Sequence, residues 1–254
     1  MPEFASRVKG KLAIVAALER EVRPLIKDHI KTWRVSEKGR DGRKFRFFEQ
    51  DDAVLVCGGI GTAAARRAAE AAIAIYSPAL ICSAGFAGAL DPALKVGDVL
   101  QPQRVVNAAD CSVVSLNRGN GVLVSFSSVA GAEQKAKLRD SFSAQAVDME
   151  AAAVARAAEA HGIEFTAVKV ISDEADCNLP AMDRFIDDRG QFLEWKFAAY
   201  TAVRPWLWSS VARLARNSSK ASQALCEHLR QIIADQTALP LNATQADTIP
   251  GSTR

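Results

Sequence analysis

Soft metal ligands are few and scattered in this sequence. Its five cysteines (Cys57, Cys82, Cys111, Cys177 and Cys226) form no CxxC pair, and its three histidines (His29, His161 and His228) do not cluster with them. A disulfide scaffold or a zinc site needs tighter, repeated spacing, so neither is expected and no metal is assigned. Cys57 and Cys82 fall within apolar runs, where a thiol acts as a small hydrophobe. No apolar run approaches the ~20 residues that span a bilayer. Residues 1–11 hold no stretch like the core of a signal peptide. Together with reduced thiols, this leads to a cytoplasmic expectation. Charge of one sign is missing too: 32 basic against 29 acidic residues leave +3, too little to point to nucleic acid. That balance hides a pattern. Residues 1–50 carry 13 basic and 7 acidic side chains, residues 201–254 carry 6 and 3, and the middle 150 carry 13 and 19. An acidic centre lies between basic ends.

What is present is a soluble globular composition, 49% apolar and 24% charged in 254 residues, enough to bury a full core. Leu12-Ala-Ile-Val-Ala16 is a short apolar run followed by Glu19-Arg-Glu-Val22, which reads as strand, turn and helix. Residues 38–48 read as a hairpin. Ala53–Cys57 is a second buried strand that enters Gly58-Gly-Ile-Gly61 and an alanine-rich helix over 62–75. Ala79–Cys82 is a third, entering a second glycine-rich turn, Gly85–Gly88. Further strands are expected over 96–106, 121–125 and 165–171. Asp148-Met-Glu150 opens a helix over 151–160, which Gly162 caps. Strands alternating with helices predict an α/β sandwich around one mixed or parallel sheet.

Ligands bind at the carboxyl ends of strands in such sheets. Three acidic groups fall there: Glu19/Glu21, Asp148/Glu150 and Asp173/Glu174/Asp176. With the glycine turns they outline a pocket ringed by carboxylates. Gly59-Ile-Gly61 lacks the third glycine of a dinucleotide fingerprint, and no GK[ST] pattern occurs, so neither a dinucleotide nor a nucleoside triphosphate is expected.

Four segments in this order resemble the nucleoside phosphorylase superfamily, in particular its methylthioadenosine/S-adenosylhomocysteine nucleosidase type. They are Ile14-Val-Ala-Ala-Leu-Glu-Arg-Glu-Val22, Gly58-Gly-Ile-Gly61, Gly85-Phe-Ala-Gly-Ala-Leu-Asp-Pro-Ala-Leu-Lys-Val-Gly-Asp98, and Val147-Asp-Met-Glu-Ala151 with Ile171-Ser-Asp-Glu-Ala-Asp176. The resemblance implies a three-layer αβα sandwich around a mixed central sheet, and cleavage of the N-glycosidic bond of an adenine or other purine nucleoside. It implies that Asp173 protonates purine N7 and that Met149 and Glu150 hold the ribose. It makes Glu21 the activator of the attacking water. Phe86, Ser172, Val129, Ala130 and Gly59 are the further expected substrate-binding positions. No cofactor is implied, with inorganic phosphate the co-substrate if the reaction is phosphorolysis. Hydrolysis and phosphorolysis both stay open, as does a purine-nucleoside-binding protein that keeps the fold without turnover. The family also leads to the expectation of a homo-oligomer.

Three departures from the nucleosidases stand out. Phe86 replaces a serine, the segment between Asp98 and Gly121 is short, and the chain runs about 75 residues past Asp176. The C-terminal segment, with Trp206, Trp208 and basic residues, makes the chain similar to the hopanoid-associated phosphorylases, for which adenosylhopane is the proposed substrate. Such a helix invites peripheral membrane contact. The expected organisation is one domain over 1–236, including a helical extension from about 190, and a disordered tail over 237–254.

Overall fold

A computed structural model of the chain describes residues 10–27, 33–177, 182–185, 187, 190–193, 196–197, 200 and 208–238. Strands β1 (Leu12–Ala16), β4 (Ala53–Cys57) and β5 (Leu80–Ala89) run parallel side by side, β1 in the middle. All three are apolar and free of charge, the pattern of strands covered on both faces. The alternation along β1 shows this directly. Leu12, Ile14 and Ala16 join one core cluster, whereas Ala13 and Val15 join another on the opposite face.

Helices cover both faces of the mixed sheet, giving three layers, α, β and α. On one side lie α1 (Glu19–Ile26) and the long C-terminal helix α5 (Trp208–Ala238). Here Val22 and Leu25 of α1 meet Ala221, Leu225, Cys226 and Leu229 of α5 in one buried cluster. On the other side, α2 (Thr62–Tyr76) and α4 (Ala151–Ala160) interleave their alanines. Alanine favours the helix and lets neighbouring backbones approach. The hairpin β2 (Arg34–Arg40) and β3 (Arg43–Glu49) extends one edge through β4.

Beyond β5 the sheet divides. Strand β11 (Glu164–Asp173) runs parallel to β5 along nearly its whole length, and β10 (Ala146–Asp148) pairs antiparallel with its end at Gly88 and Ala89. Strands β9 (Val122–Ser125), β7 (Arg104–Asn107) and β8 (Val113–Ser115) continue outward from β10. Helix α3 (Ala132–Phe142) packs Leu138 against this part of the sheet.

Several expected elements take a different form. The run over 96–106 is two strands, β6 (Val99–Leu100) and β7, because Val99–Leu100 pairs with β11 while Arg104–Asn107 pairs with β9. Gly85–Gly88 is not a turn but the second half of β5. The glycines are there because charged side chains crowd that stretch: a Cβ on Gly85 would lie 3.1 Å from Glu21 Oε2, and one on Gly88 would lie 3.0 Å from Asp173 Oδ2. The C-terminal helix is described over Trp208–Ala238. Trp206 and residues 239–254, where the tail was expected, lie outside the described residues.

Candidate active site

The carboxyl ends of β1, β5, β10 and β11 open into one cavity of about 510 Å³. Its lining includes Glu21, Asp148, Glu150, Asp173 and Lys135, and a second lysine, Lys169, pairs with Asp148 from outside the lining. Of the residues expected from sequence, Glu21, Phe86, Val129, Ala130, Met149, Glu150, Ser172 and Asp173 all line this cavity. Gly59 does not. Its N–H is bonded to Ala17 O (2.9 Å), and the next residue, Ile60, forms the wall instead.

Glu21 reaches the cavity because α1 begins directly after β1, and α5 fixes its backbone. Ser222 Oγ donates to the carbonyl of Glu21 (2.9 Å). Glu21 is 6% exposed, and its Oε2 accepts no hydrogen bond from the described residues. Burial and the neighbouring Glu150 charge raise its pKa from 4.5 to about 7, with Lys169 and Arg20 pulling the other way. A carboxyl that titrates near neutrality with an unused lone pair is suited to taking a proton from water.

Glu150 is held by two backbone donors, Gly61 N–H to Oε1 (2.8 Å) and Met149 N–H to Oε2 (3.3 Å). Burial raises its pKa, assisted by Asp148 and opposed by Lys169. Asp148 lies deeper. Its Oδ1 accepts from Ser125 Oγ (2.5 Å), and its Oδ2 accepts from Ala151 N–H (2.8 Å) at the start of α4. Ser125 Oγ in turn accepts from Ala152 N–H (2.9 Å), so the β9–β10 strand ends and α4 are tied into one unit.

Lys169 balances these acids. Its Nζ lies 2.8 Å from Asp148 Oδ2, and both side chains are almost fully buried. Burial alone would depress its pKa, but Asp148, Glu150 and Glu21 outweigh burial and hold it above its ordinary value. Sequence reasoning passed over Lys169, although the signal was present: a lone charge inside the apolar run Phe165–Ile171 requires a buried partner.

Asp173 ends β11, where the register with β5 shifts between Ile171 and Asp173 and brings Asp173 opposite Gly88. Its Oδ1 accepts from Ser172 Oγ (2.7 Å), and its Oδ2 is ion-paired with Lys135 Nζ. Lys135 also donates to Glu174 O (2.7 Å). Sequence reasoning missed this lysine as well. It sits on a polar helix among other charges, and nothing local marks it out.

Much of the remaining wall is apolar. It includes Phe86, Phe192 and Phe197, with Val211, Leu214 and Ala215 of α5. Arg20 crosses this wall with its guanidinium 4.9 Å from the Phe192 ring centre. Trp208, one turn earlier on α5, is 57% exposed. Among the described residues no helix is long and apolar enough to cross a membrane, and no group of three or more His, Cys, Asp or Glu is arranged to hold a metal ion.

The chain as a whole matches a known family. The family model for the phosphorylase superfamily matches residues 11–123 and 120–196. The chain belongs to that superfamily. Solved structures of similar fold include futalosine hydrolase of Helicobacter pylori, with 18% identity and a TM-score of 0.66 over 91% of this chain and 100% of that one. The 5′-methylthioadenosine nucleosidase of Arabidopsis thaliana is 18% identical, with a TM-score of 0.69 over 91% of this chain and 97% of that one. A 5′-methylthioadenosine/S-adenosylhomocysteine nucleosidase of Helicobacter pylori is 18% identical, with a TM-score of 0.66 over 89% and 98%. At this identity they share the fold.

Proposed function

We propose that this superfamily member hydrolyses the N-glycosidic bond of a purine nucleoside, with adenine as the base and an apolar group on the 5′ carbon. The observation that carries the reading is the presence, in one cavity, of a buried carboxylate, Glu21, whose Oε2 has no hydrogen-bond partner among the described residues, and of a second acid, Asp173. Glu21 takes a proton from water as the oxygen attacks C1′. Asp173 delivers a proton to N7, so the base departs neutral with the electron pair of the broken C1′–N9 bond. Glu150, fixed by two backbone donors, keeps lone pairs free for the ribose hydroxyls. Its negative charge, and that of Glu21, favour the cationic ribosyl transition state.

Hydrolysis is preferred to phosphorolysis because the nucleophile's place is bounded by a buried carboxylate, which repels an anion. The names of the similar structures, two nucleosidases and a hydrolase, support the same choice. The apolar wall from Phe86 to Leu214 supports a greasy 5′ substituent, and a lipid nucleoside such as adenosylhopane belongs to that class. The exposed Trp208 beside that wall would let such a substrate be drawn from a membrane surface. The enzyme is proposed to act as a homo-oligomer in the cytoplasm.

The test is base release from a panel of nucleosides differing at the 5′ carbon, with and without phosphate. The expected result is free purine and free sugar without phosphate, fastest for apolar 5′ groups. Strict phosphate dependence with a sugar 1-phosphate product would overturn hydrolysis. No base release from any nucleoside would overturn the whole reading.

A further inference from the structure

Lys135 has no part in the reaction as written, yet the site is built around it. Helix α3 buries only Lys135 and Leu138, its other residues being exposed or half-buried. Lys135 is 1% exposed, with its stem and ammonium lying across Gly88. A Cβ there would sit 3.1 Å from Lys135 Cε and 3.3 Å from Nζ, so the glycine is what admits the lysine. An ammonium removed from water in this way is costly unless it is paired and hydrogen-bonded. Here it meets both conditions, through Asp173 Oδ2 and the carbonyl of Glu174. Both partners of the pair line the cavity.

The reaction needs a proton at Asp173 at the moment the base leaves, in a corner closed to bulk water. We propose that Lys135 supplies it. Asp173 passes a proton to N7 as the C1′–N9 bond breaks, and takes one from Lys135 Nζ, which is left as a neutral amine. The amine regains its proton from solvent once the base has gone and the cavity refills. Lys135 touches Asp173, not the substrate, and so acts as a positioning and relay residue. The other charged or titratable groups at this corner are Glu174, whose carboxylate faces Lys95 (3.9 Å), and Cys177, Asp176 and Arg213 of α5, which interact electrostatically around the Cys177 thiol. Cys177 feels the charge of both members of the pair, while the hydrogen bonds of Lys135 Nζ among the described residues go to Asp173 and the Glu174 carbonyl. The role rests on the nucleosidase reading above and extends it to a residue outside the expected acid set.

The experiment compares wild type, Lys135→Met and Lys135→Gln on two substrates with the same 5′ substituent, at pH 8. One is the purine nucleoside. The other is the 4-nitrophenyl riboside, whose leaving group departs as an anion and needs no acid. The role predicts that both variants lose about 100-fold or more in kcat on the purine nucleoside while their nitrophenolate release stays within about threefold of wild type, since general-acid assistance contributes about 10²–10⁴-fold. A structural tie moves both substrates together, and equal loss on the two would overturn the relay. So would an undiminished purine rate. Wild type that releases neither base nor nitrophenolate would overturn the nucleosidase reading itself, and the relay with it; wild type active on both isolates the question to Lys135.

Discussion

Replacing Glu21 by Gln should make the protein more stable and less active, by amounts that depend on pH in a defined direction. The native carboxyl titrates at about 7 against 4.5 for an ordinary glutamate, mainly because it is buried and faces Glu150. Between those two values the folded chain holds a proton that the unfolded chain has released. Stability therefore falls as pH rises through that window, and levels off above about 7. A displacement of this size corresponds to roughly 3 kcal/mol once the window is passed. The glutamine side chain has no such titration, so the variant escapes the loss. Its advantage over wild type should be small at pH 5 and reach about 2–3 kcal/mol at pH 8. For a chain of this size that is roughly 5–10 °C in Tm. Urea unfolding of both proteins at pH 5, 6, 7 and 8 measures it. Base release by wild type should rise through the same range as Glu21 becomes the base form, and the Glu21→Gln variant should lack it at every pH. A constant difference in stability across the series, or a variant less stable than wild type at pH 8, would refute the assignment of a raised pKa to Glu21.

Other substitutions probe the remaining parts of the site. Lys169→Met should destabilise the fold by about 3–5 kcal/mol, because it leaves the Asp148 carboxylate buried without its cation; urea unfolding at neutral pH measures this. Gly88→Ala should cost about 1–3 kcal/mol by overpacking, and lower kcat more than it raises KM, since the new methyl presses on the Asp173–Lys135 pair and not on the ribose. Leu214→Asn should raise KM about tenfold or more for a nucleoside with a long apolar 5′ group, given about 1.5–3 kcal/mol for a buried leucine, and leave a short 5′ group nearly unaffected. Steady-state kinetics on matched substrates checks both active-site variants.

Much of the fold is written in short-range pattern. The uncharged runs Leu12–Ala16 and Ala53–Cys57 are strands because they are covered on both faces, and the alanine-rich stretches after 61 and 150 are helices that let two layers approach. The acids Glu21, Glu150 and Asp173 were legible because each follows or ends such a run. The second half of β5 was not legible. Its glycines have the composition of a turn, and only the side chains arriving from α1, α3 and β11 explain why a strand must be bare there. Lys135 was hidden for a related reason: its partner lies 38 residues away, and helix α3 gives no amphipathic hint of which polar residue turns inward. The wall formed by Val211 and Leu214 depends on where α5 docks, which α1 and β11 decide through long-range packing.

The measurement closest to the central claim is the number of base molecules released per protein molecule from an adenine nucleoside carrying an apolar 5′ group, for wild type beside Asp173→Asn. Wild type should release many equivalents in phosphate-free buffer, and the Asp173→Asn protein, folded and still able to bind the nucleoside, should fall by about 100-fold or more through loss of the acid. Tight binding with one equivalent or less from wild type, or an undiminished rate in the variant, would contradict the account.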